Sequence, residues 1–171
     1  MRVVANVVML GAALALTGAC GDEVDLSGVY RVDAVLASAP CGDDEPVTGG
    51  PGYLKFSRGE LFGAPYYSYA DCTDETASEC ASVGGLFEGF FEPIDGGWLG
   101  YTTFSSTAGL NCTLSMTEKT AILDGTRLTI ETHHHQTLIE LANEDCTPDE
   151  ADRRGAEMPC AQHHLVEATR L

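Results

Sequence analysis

The chain has 171 residues, enough for one domain, and 44% of them are hydrophobic, a fraction too high for a disordered protein. Its 26 Asp and Glu residues outnumber nine Lys and Arg residues, so the formal net charge is −17 at pH 7. Because the basic residues are few and unclustered, we expect no nucleic-acid partner, and an acidic surface is not held to anionic lipid headgroups by charge.

The N-terminal residues have the organisation of a secretory signal peptide. Arg2 supplies a positive charge, residues 3–16 are almost all apolar, and the small residues Thr17-Gly18-Ala19 precede Cys20. An apolar run of this length is too short for a transmembrane helix. The pattern predicts that residues 1–19 direct export and are then removed.

Small residues followed by a cysteine resemble the lipobox of bacterial lipoproteins. The commonest lipobox has Leu three residues before the cysteine, whereas here Thr17 has that place and Leu16 is one residue further back. The resemblance implies cleavage before Cys20, a diacylglyceryl thioether on its sulfur and an acyl chain on its new amine, so that residues 20–26 form a lipidated tether in the cell envelope. Gly21, in place of an aspartate, favours the outer membrane. The alternative is an ordinary signal peptide with a coincidental cysteine.

The remaining cysteines predict disulfide bonds. Lipidation of one of the seven leaves an even number, which an oxidising compartment would pair. The six candidates are Cys41, Cys72, Cys80, Cys112, Cys146 and Cys160. Sequence spacing favours Cys72 with Cys80 and Cys146 with Cys160, leaving Cys41 with Cys112, although 15 pairings exist for six cysteines. The alternative of a zinc site lacks a C-x-x-C pair.

Runs of β-branched and aromatic residues between Gly, Asp and Pro predict about eight strands. Hairpin turns are expected at Asp95-Gly96-Gly97 and Asp124-Gly125, and a further turn at Arg58-Gly59. One short helix is expected within 146–155, with Thr147 as its N-cap and Pro148 at its first position. The predicted strands are 27–37, 53–57, 60–70, 86–93, 98–106, 112–123, 127–140 and 160–171.

The strand count predicts a closed antiparallel sheet. An even number lets the first and last strands pair, which removes the open edges. Gly28-Val29-Tyr30 resembles the Gly-x-Trp position of lipocalins, with Tyr in place of Trp. Together these features predict an all-β fold, a small up-and-down lipocalin-like barrel formed by residues 27–171 as a single domain.

The run His133-His134-His135 is a candidate metal site. Alternate residues of a strand share a face, so His133 and His135 lie together near Glu131, while His134 points the other way. Two imidazoles at this spacing can bind zinc or copper, with His163 or His164 as a third ligand if the last two long strands pair. The alternative is a polar outer face and one histidine in a partly polar interior. No other cofactor is expected.

Aromatic residues suggest a ligand pocket inside the barrel. By the same alternation Phe87 and Phe91 share a face, as do Trp98 and Phe104, and with His134 they are predicted to line a site for an apolar molecule. The alternative is that these side chains fill the core, since side chains can nearly fill an eight-stranded barrel.

The sequence contains none of the common catalytic motifs, so we name no catalytic residue and expect no enzyme. The acidic cluster Asp43-Asp44-Glu45 and the acids Asp71, Asp74 and Glu75 lack the spacing of an EF-hand and are interpreted as solvated loop residues. The expected function is a lipid-anchored envelope protein that binds a small apolar ligand. The alternative is a structural or interaction lipoprotein with a solid core and a protein partner.

Overall fold

The structure is a computed structural model that describes residues 23–83, 88–141 and 146–171. The predicted signal peptide and Cys20 lie outside the described residues. The all-β fold with one short helix before the last strand is confirmed. The described elements are β1 (Gly28–Ser38), β2 (Glu45–Pro46), β3 (Tyr53–Leu61), β4 (Ala64–Cys72), β5 (Cys80–Ser82), β6 (Glu92–Ile94), β7 (Gly97–Ala108), β8 (Asn111–Asp124), β9 (Arg127–Glu140), helix α1 (Pro148–Arg154), a 3-10 turn (Gly155–Glu157) and β10 (Cys160–Arg170).

The strands form one antiparallel sheet in the order β5-β4-β3-β1-β10-β9-β8-β7-β6, with β2 added to β1. The predicted pairing of the first and last long strands is confirmed, because Tyr30 of β1 lies opposite Arg170 of β10 and Ser38 lies opposite His163. The register shifts between Val32 and Ala34, where β1 carries a bulge. Bulges of this kind bend a strand and increase its twist, which helps a sheet to curl.

The sheet is not closed by a full strand ladder in the described residues, so the barrel is looser than predicted. A bridge between Tyr67 of β4 and Phe90 links its two halves: the Tyr67 N–H donates to the Phe90 carbonyl (2.9 Å) and the Phe90 N–H to the Tyr67 carbonyl (2.8 Å). The next residue, Phe91, donates its N–H to Leu99 of β7. The segment before β6 therefore connects β4 to β7.

Two of the three expected turns are where they were predicted. Ile94 pairs with Gly97 around Asp95-Gly96, and Asp124 pairs with Arg127 around Gly125-Thr126. The turn expected at Arg58-Gly59 is wrong: β3 continues to Leu61, and the loop is Phe62-Gly63. Both loop residues have positive φ, 52° and 83°, which Gly63 adopts without strain.

The main core lies inside the curled sheet, and the residues just before β1 cover one end of it. The Trp98 indole is fully buried and donates to the Val24 carbonyl (2.7 Å), and the Leu26 side chain is fully buried. Arg170 donates to the Tyr30 hydroxyl and to the carbonyls of Asp25 and Ser27. Residues 24–26, the last three of the predicted tether, therefore contact the sheet.

Helix α1 covers a second, smaller core on the outer face of β8 and β9. Thr147 caps the helix as predicted, accepting a hydrogen bond from the Glu150 N–H (3.1 Å). The buried residues of this cluster are Cys112, Leu114, Met116, Ile139, Ala151 and Met158. Helix α1 has seven residues, and the described part of the chain contains no helix that is long and apolar enough to cross a membrane.

All six described cysteines form disulfide bonds, but two of the three expected pairs are wrong. The structure contains Cys72–Cys80, as predicted, together with Cys41–Cys160 and Cys112–Cys146. The register of the paired strands explains which cysteines meet. The β1–β10 pairing brings the end of β1 next to the start of β10, and the β8–β9 hairpin returns the chain to Cys112. Distance along the sequence is therefore a poor guide to these pairs.

Candidate functional site

The inner face of the sheet changes from apolar to polar along its strands. Near the end covered by residues 24–26, β8, β9 and β10 contribute the buried side chains of Ala121, Leu128 and Ala168. Further along, the same alternating positions contribute polar side chains. One end of the interior is therefore solid core, and the other contains a pocket.

This inner pocket has a volume of about 290 Å³. Seven of its nine lining residues carry a polar group, and Ile130 and Val166 are apolar. The lining residues are Tyr69, Thr117, Lys119, Ile130, Thr132, His134, Gln162, His164 and Val166. His134 thus lines a pocket inside the sheet together with the charged residue Lys119, and an apolar ligand for this pocket stays a prediction.

The aromatic side chains expected beside His134 do not come together in one lining. Trp98 is in the solid core, Phe91 is half-buried and stacks on Tyr66, and Phe104 is 61% exposed. Phe87 lies outside the described residues. These three side chains therefore lie in different environments, and a ligand-lining role for any one of them stays a prediction.

Lys119 is the buried cation of the inner pocket, with only 8% of the residue exposed. Its Nζ donates to the Glu88 carbonyl oxygen (3.1 Å) and lies 3.6 Å from Glu88 Oε2. Burial lowers the pKa of the Lys119 amine, and the Glu88 carboxylate opposes that shift. Because an ammonium has three N–H donors, Lys119 keeps donor capacity for a bound molecule.

Neighbouring side chains add further hydrogen-bonding groups to the pocket. The Nδ1 atom of His134 lies 3.0 Å from Thr117 Oγ1, and the Nε2 atom of His164 lies 2.6 Å from Gln162 Nε2. Burial, followed by the charges of nearby acids, raises the pKa of Tyr69 to about 12, so its hydroxyl stays a donor at neutral pH. The inner pocket therefore offers several hydrogen-bond donors to one bound ligand.

A second cluster, the outer histidine cluster, lies on the opposite face of the sheet and consists of Glu131, His133, His163 and Asp44. His133 on β9 is directly opposite His163 on β10, and their rings stack at 4.6 Å. The Nε2 atoms of both histidines approach Glu131 Oε1, at 3.0 and 3.2 Å. The Asp44 carboxylate, 2.9 Å from His163 Nδ1, raises the pKa of that imidazole by accepting its hydrogen bond.

The sequence placed His133 and His135 on one face, and both lie on the outer face here. His135 has a different environment, because its Nδ1 is 2.9 Å from the Met158 carbonyl. It groups with His133 and Cys160, whose sulfur is already bonded to Cys41. Of the two histidines offered as a third ligand, His163 joins this face, whereas His164 lines the inner pocket.

Sequence reasoning missed Lys119 and Asp44 as site residues. The sequence did contain a signal for Lys119. Strand alternation places Thr117, Lys119 and Ala121 on one face of β8, so a face that includes core residues also carries a lysine. Asp44 was interpreted as a solvated loop acid. Its contact with His163 spans 119 residues and depends on the loop that the Cys41–Cys160 bond holds against β10.

The described residues also line larger pockets elsewhere on the surface, including two that differ from the inner pocket in chemistry. One, of about 480 Å³, is lined by Leu61, Phe91 and residues 101–103. The other, of about 690 Å³, lies between the glycine-rich residues 49–52 and the loop closed by Cys72–Cys80. Neither brings a buried cation together with imidazoles, so the inner pocket has the more specific chemistry.

No protein-family model, no curated protein and no solved structure matches this chain. The resemblances of the leader to bacterial lipoproteins and of Gly28-Val29-Tyr30 to lipocalins thus stand on those residues alone. The proposals about function therefore rest on the chemistry of the inner pocket and of the outer histidine cluster.

Proposed function

We propose that this protein is an exported, lipid-anchored binding protein that holds a small amphipathic anion in the inner pocket. The observation that carries the proposal is the buried Lys119 ammonium in a pocket that also contains His134 and His164. A cation in a partly desolvated site attracts an anion more strongly than one in water does. The proposal replaces the apolar ligand expected from the sequence with a charged one.

The shape of the pocket favours a carboxylate attached to a short apolar body. Ile130 and Val166 can contact hydrocarbon, while the Lys119, Tyr69 and histidine groups donate hydrogen bonds. The volume of about 290 Å³ is near the lower end for small-molecule sites. A guest of the size of benzoate therefore fits the proposal.

The proposed location has two supports. Three disulfide bonds are typical of an oxidising, non-cytoplasmic compartment. The leader predicts acylation of Cys20, four residues before Val24, whose carbonyl accepts the hydrogen bond of the Trp98 indole. His134 is seven residues along β9 from Arg127, so it lies about 23 Å from the end of the sheet where Val24 packs. The pocket would thus face away from the membrane.

Calorimetric titration of the full-length chain, expressed with its leader and purified in detergent, tests this function. Benzoate should bind, and the neutral isostere benzamide should bind at least about tenfold more weakly, because only benzoate carries a charge for Lys119. His134→Phe, which keeps an aromatic ring but has no N–H donor, should weaken benzoate about tenfold, the loss of one hydrogen bond to a charged group. His133→Phe is the matched control, since the adjacent side chain lies on the opposite face and should leave binding unchanged.

Other outcomes would contradict the proposal. Equal binding of benzoate and benzamide would show that the pocket does not recognise charge. A folded protein that binds neither compound at millimolar concentration would favour the structural or interaction function instead. The intact mass of the same preparation tests the anchor, and a product that keeps residues 1–19 or lacks acyl chains would contradict lipidation.

A further inference from the structure

We propose that the outer histidine cluster is a binding site for a divalent transition-metal ion, with His133, His163 and Glu131 as its ligands. The site is on the opposite face of the sheet from the inner pocket and does not depend on the function proposed for it. Its donor set, two imidazoles and one carboxylate, is one that zinc uses with a fourth position left open. Zinc is therefore the probe.

Strand register brings the three ligands together. β9 and β10 are antiparallel neighbours in which His133 lies directly opposite His163, and Glu131 is two residues from His133 on the same face. All three come from the interiors of long paired strands, which restricts the movement of their Cα atoms. A site on such a scaffold needs little rearrangement of the backbone when an ion binds.

The distances between the ligand atoms suit tetrahedral coordination. One ligand atom from each of the three residues lies within 4.8 Å of the other two. Bond lengths of about 2.0–2.2 Å at tetrahedral angles require ligand atoms about 3.3–3.5 Å apart. The Glu131 oxygen is 3.0 Å from His133 Nε2 and 3.2 Å from His163 Nε2, so small side-chain rotations are enough.

Asp44 accepts a hydrogen bond from the ring nitrogen of His163 that would not bind the metal, an interaction that metal-binding histidines commonly have. Its carboxylate accepts a hydrogen bond from His163 Nδ1 (2.9 Å) and another from the Ser38 hydroxyl (2.7 Å). A proton held on Nδ1 leaves the lone pair of Nε2 for an ion, and it fixes the orientation of the ring. The Asp44 contact thus prepares His163 as a ligand.

The chemistry also distinguishes this ligand set from the neighbouring one. The group of His133, His135 and Cys160 lacks a thiolate, because Cys160 is in a disulfide bond. His135 is also directed toward the Met158 carbonyl. His163, rather than His135, is therefore the partner of His133.

Zinc titration of the full-length protein, stripped of metal with a chelator, tests the site. The expected result is one equivalent of zinc bound with submicromolar affinity, measured by calorimetry and by competition with a chromophoric chelator. His133→Gln and His163→Gln should each weaken binding at least about a hundredfold. Asp44→Asn should weaken it about 10- to 100-fold, the usual effect of removing such a partner.

The controls come from the same strands. His134→Gln and His164→Gln alter the adjacent side chains that face the inner pocket, so they should leave zinc affinity unchanged, as should His135→Gln. Circular dichroism of each variant without zinc confirms that it is folded. The proposal is overturned if the folded wild type shows no competition with the chelator. It is also overturned if His135→Gln abolishes binding while His163→Gln does not.

Discussion

At the scale of single residues, Asp25 connects the segment before β1 to the rest of the molecule. Its carboxylate accepts hydrogen bonds from the Ser27 N–H (2.8 Å) and the Tyr67 hydroxyl (2.9 Å). These bonds, the Ser27 bonds foremost, hold the pKa of Asp25 below its usual value. A carboxyl group whose folded pKa is depressed stabilises the folded state only when it is ionised.

We therefore predict a pH-dependent effect of Asp25→Asn. The carboxylate contributes stability above its unfolded pKa, near 3.9, and this contribution is lost as the pH falls through the lower folded pKa. The variant should be less stable than the wild type at pH 7 by up to about 1 kcal/mol, a small value because the carboxyl group is largely exposed. The difference in stability should vanish at the lowest pH, where the carboxyl group is protonated. Urea denaturation between pH 2 and 7 measures it, and a constant difference would contradict the assignment.

At the scale of elements, the link between β4 and β7 depends on a close crossing of two backbones. A Cβ atom on Gly100 of β7 would lie 2.3 Å from the Gly89 carbonyl oxygen, a distance that real Cβ atoms do not show. The missing side chain of Gly100 thus allows the segment with Phe90 to reach Tyr67. This is where the two halves of the sheet meet.

Gly100→Ala should accordingly destabilise the protein by about 1–3 kcal/mol, the usual cost of forcing atoms into a packed site. Gly52→Ala is the control, because no atom lies within 4 Å of a Cβ built there and Gly52 does not have positive φ. That substitution should be neutral or stabilising by up to about 1 kcal/mol. Chemical denaturation compares the two, and similar losses would show that the crossing is not tightly packed.

At the scale of the whole molecule, the three disulfide bonds close loops of very different length. Cys41–Cys160 spans 119 residues and joins the loop after β1 to the start of β10, whereas Cys72–Cys80 spans eight. A crosslink that closes a longer loop removes more conformational entropy from the unfolded chain. The long-range bond also keeps the loop with Asp44 beside His163.

Replacing both cysteines of a pair by serine should separate these contributions. Loss of Cys41–Cys160 should cost about 5 kcal/mol and loss of Cys72–Cys80 about 2.5 kcal/mol, from the dependence of loop entropy on length. Denaturation in metal-free buffer gives both values. Equal costs, or a larger cost for the short loop, would contradict this ranking.

Local patterns predicted most of the fold. Alternating residues and the glycines after Asp95 and Asp124 located β7, β8 and β9, and Thr147 with Pro148 located α1. These signals act over a few residues, so the sequence shows them directly. The hairpin turn was expected at Arg58-Gly59 rather than at Phe62-Gly63, because a bulky aromatic residue with positive φ is not a usual turn signal.

The candidate site was predictable only in part. Strand alternation separated His134 from His133 and His135 because it is a local property of β9. The choice of His163 over His164, and the arrival of Asp44, depend on the pairing of β9, β10 and β1. The pairing of β1 with β10 was predicted, but the exact register of these strands reflects long-range packing, which short sequence patterns do not encode.

The sequence by itself determined the antiparallel β class, the short capped helix and the even set of six cysteines after Cys20, because each follows from composition or from short-range periodicity. Only the tertiary structure decided which cysteines pair, that His133 meets His163 on the outer face, and that Lys119 lines one pocket with His134 and His164. Those contacts join residues far apart in the chain, and they are set by the register and curvature of the sheet.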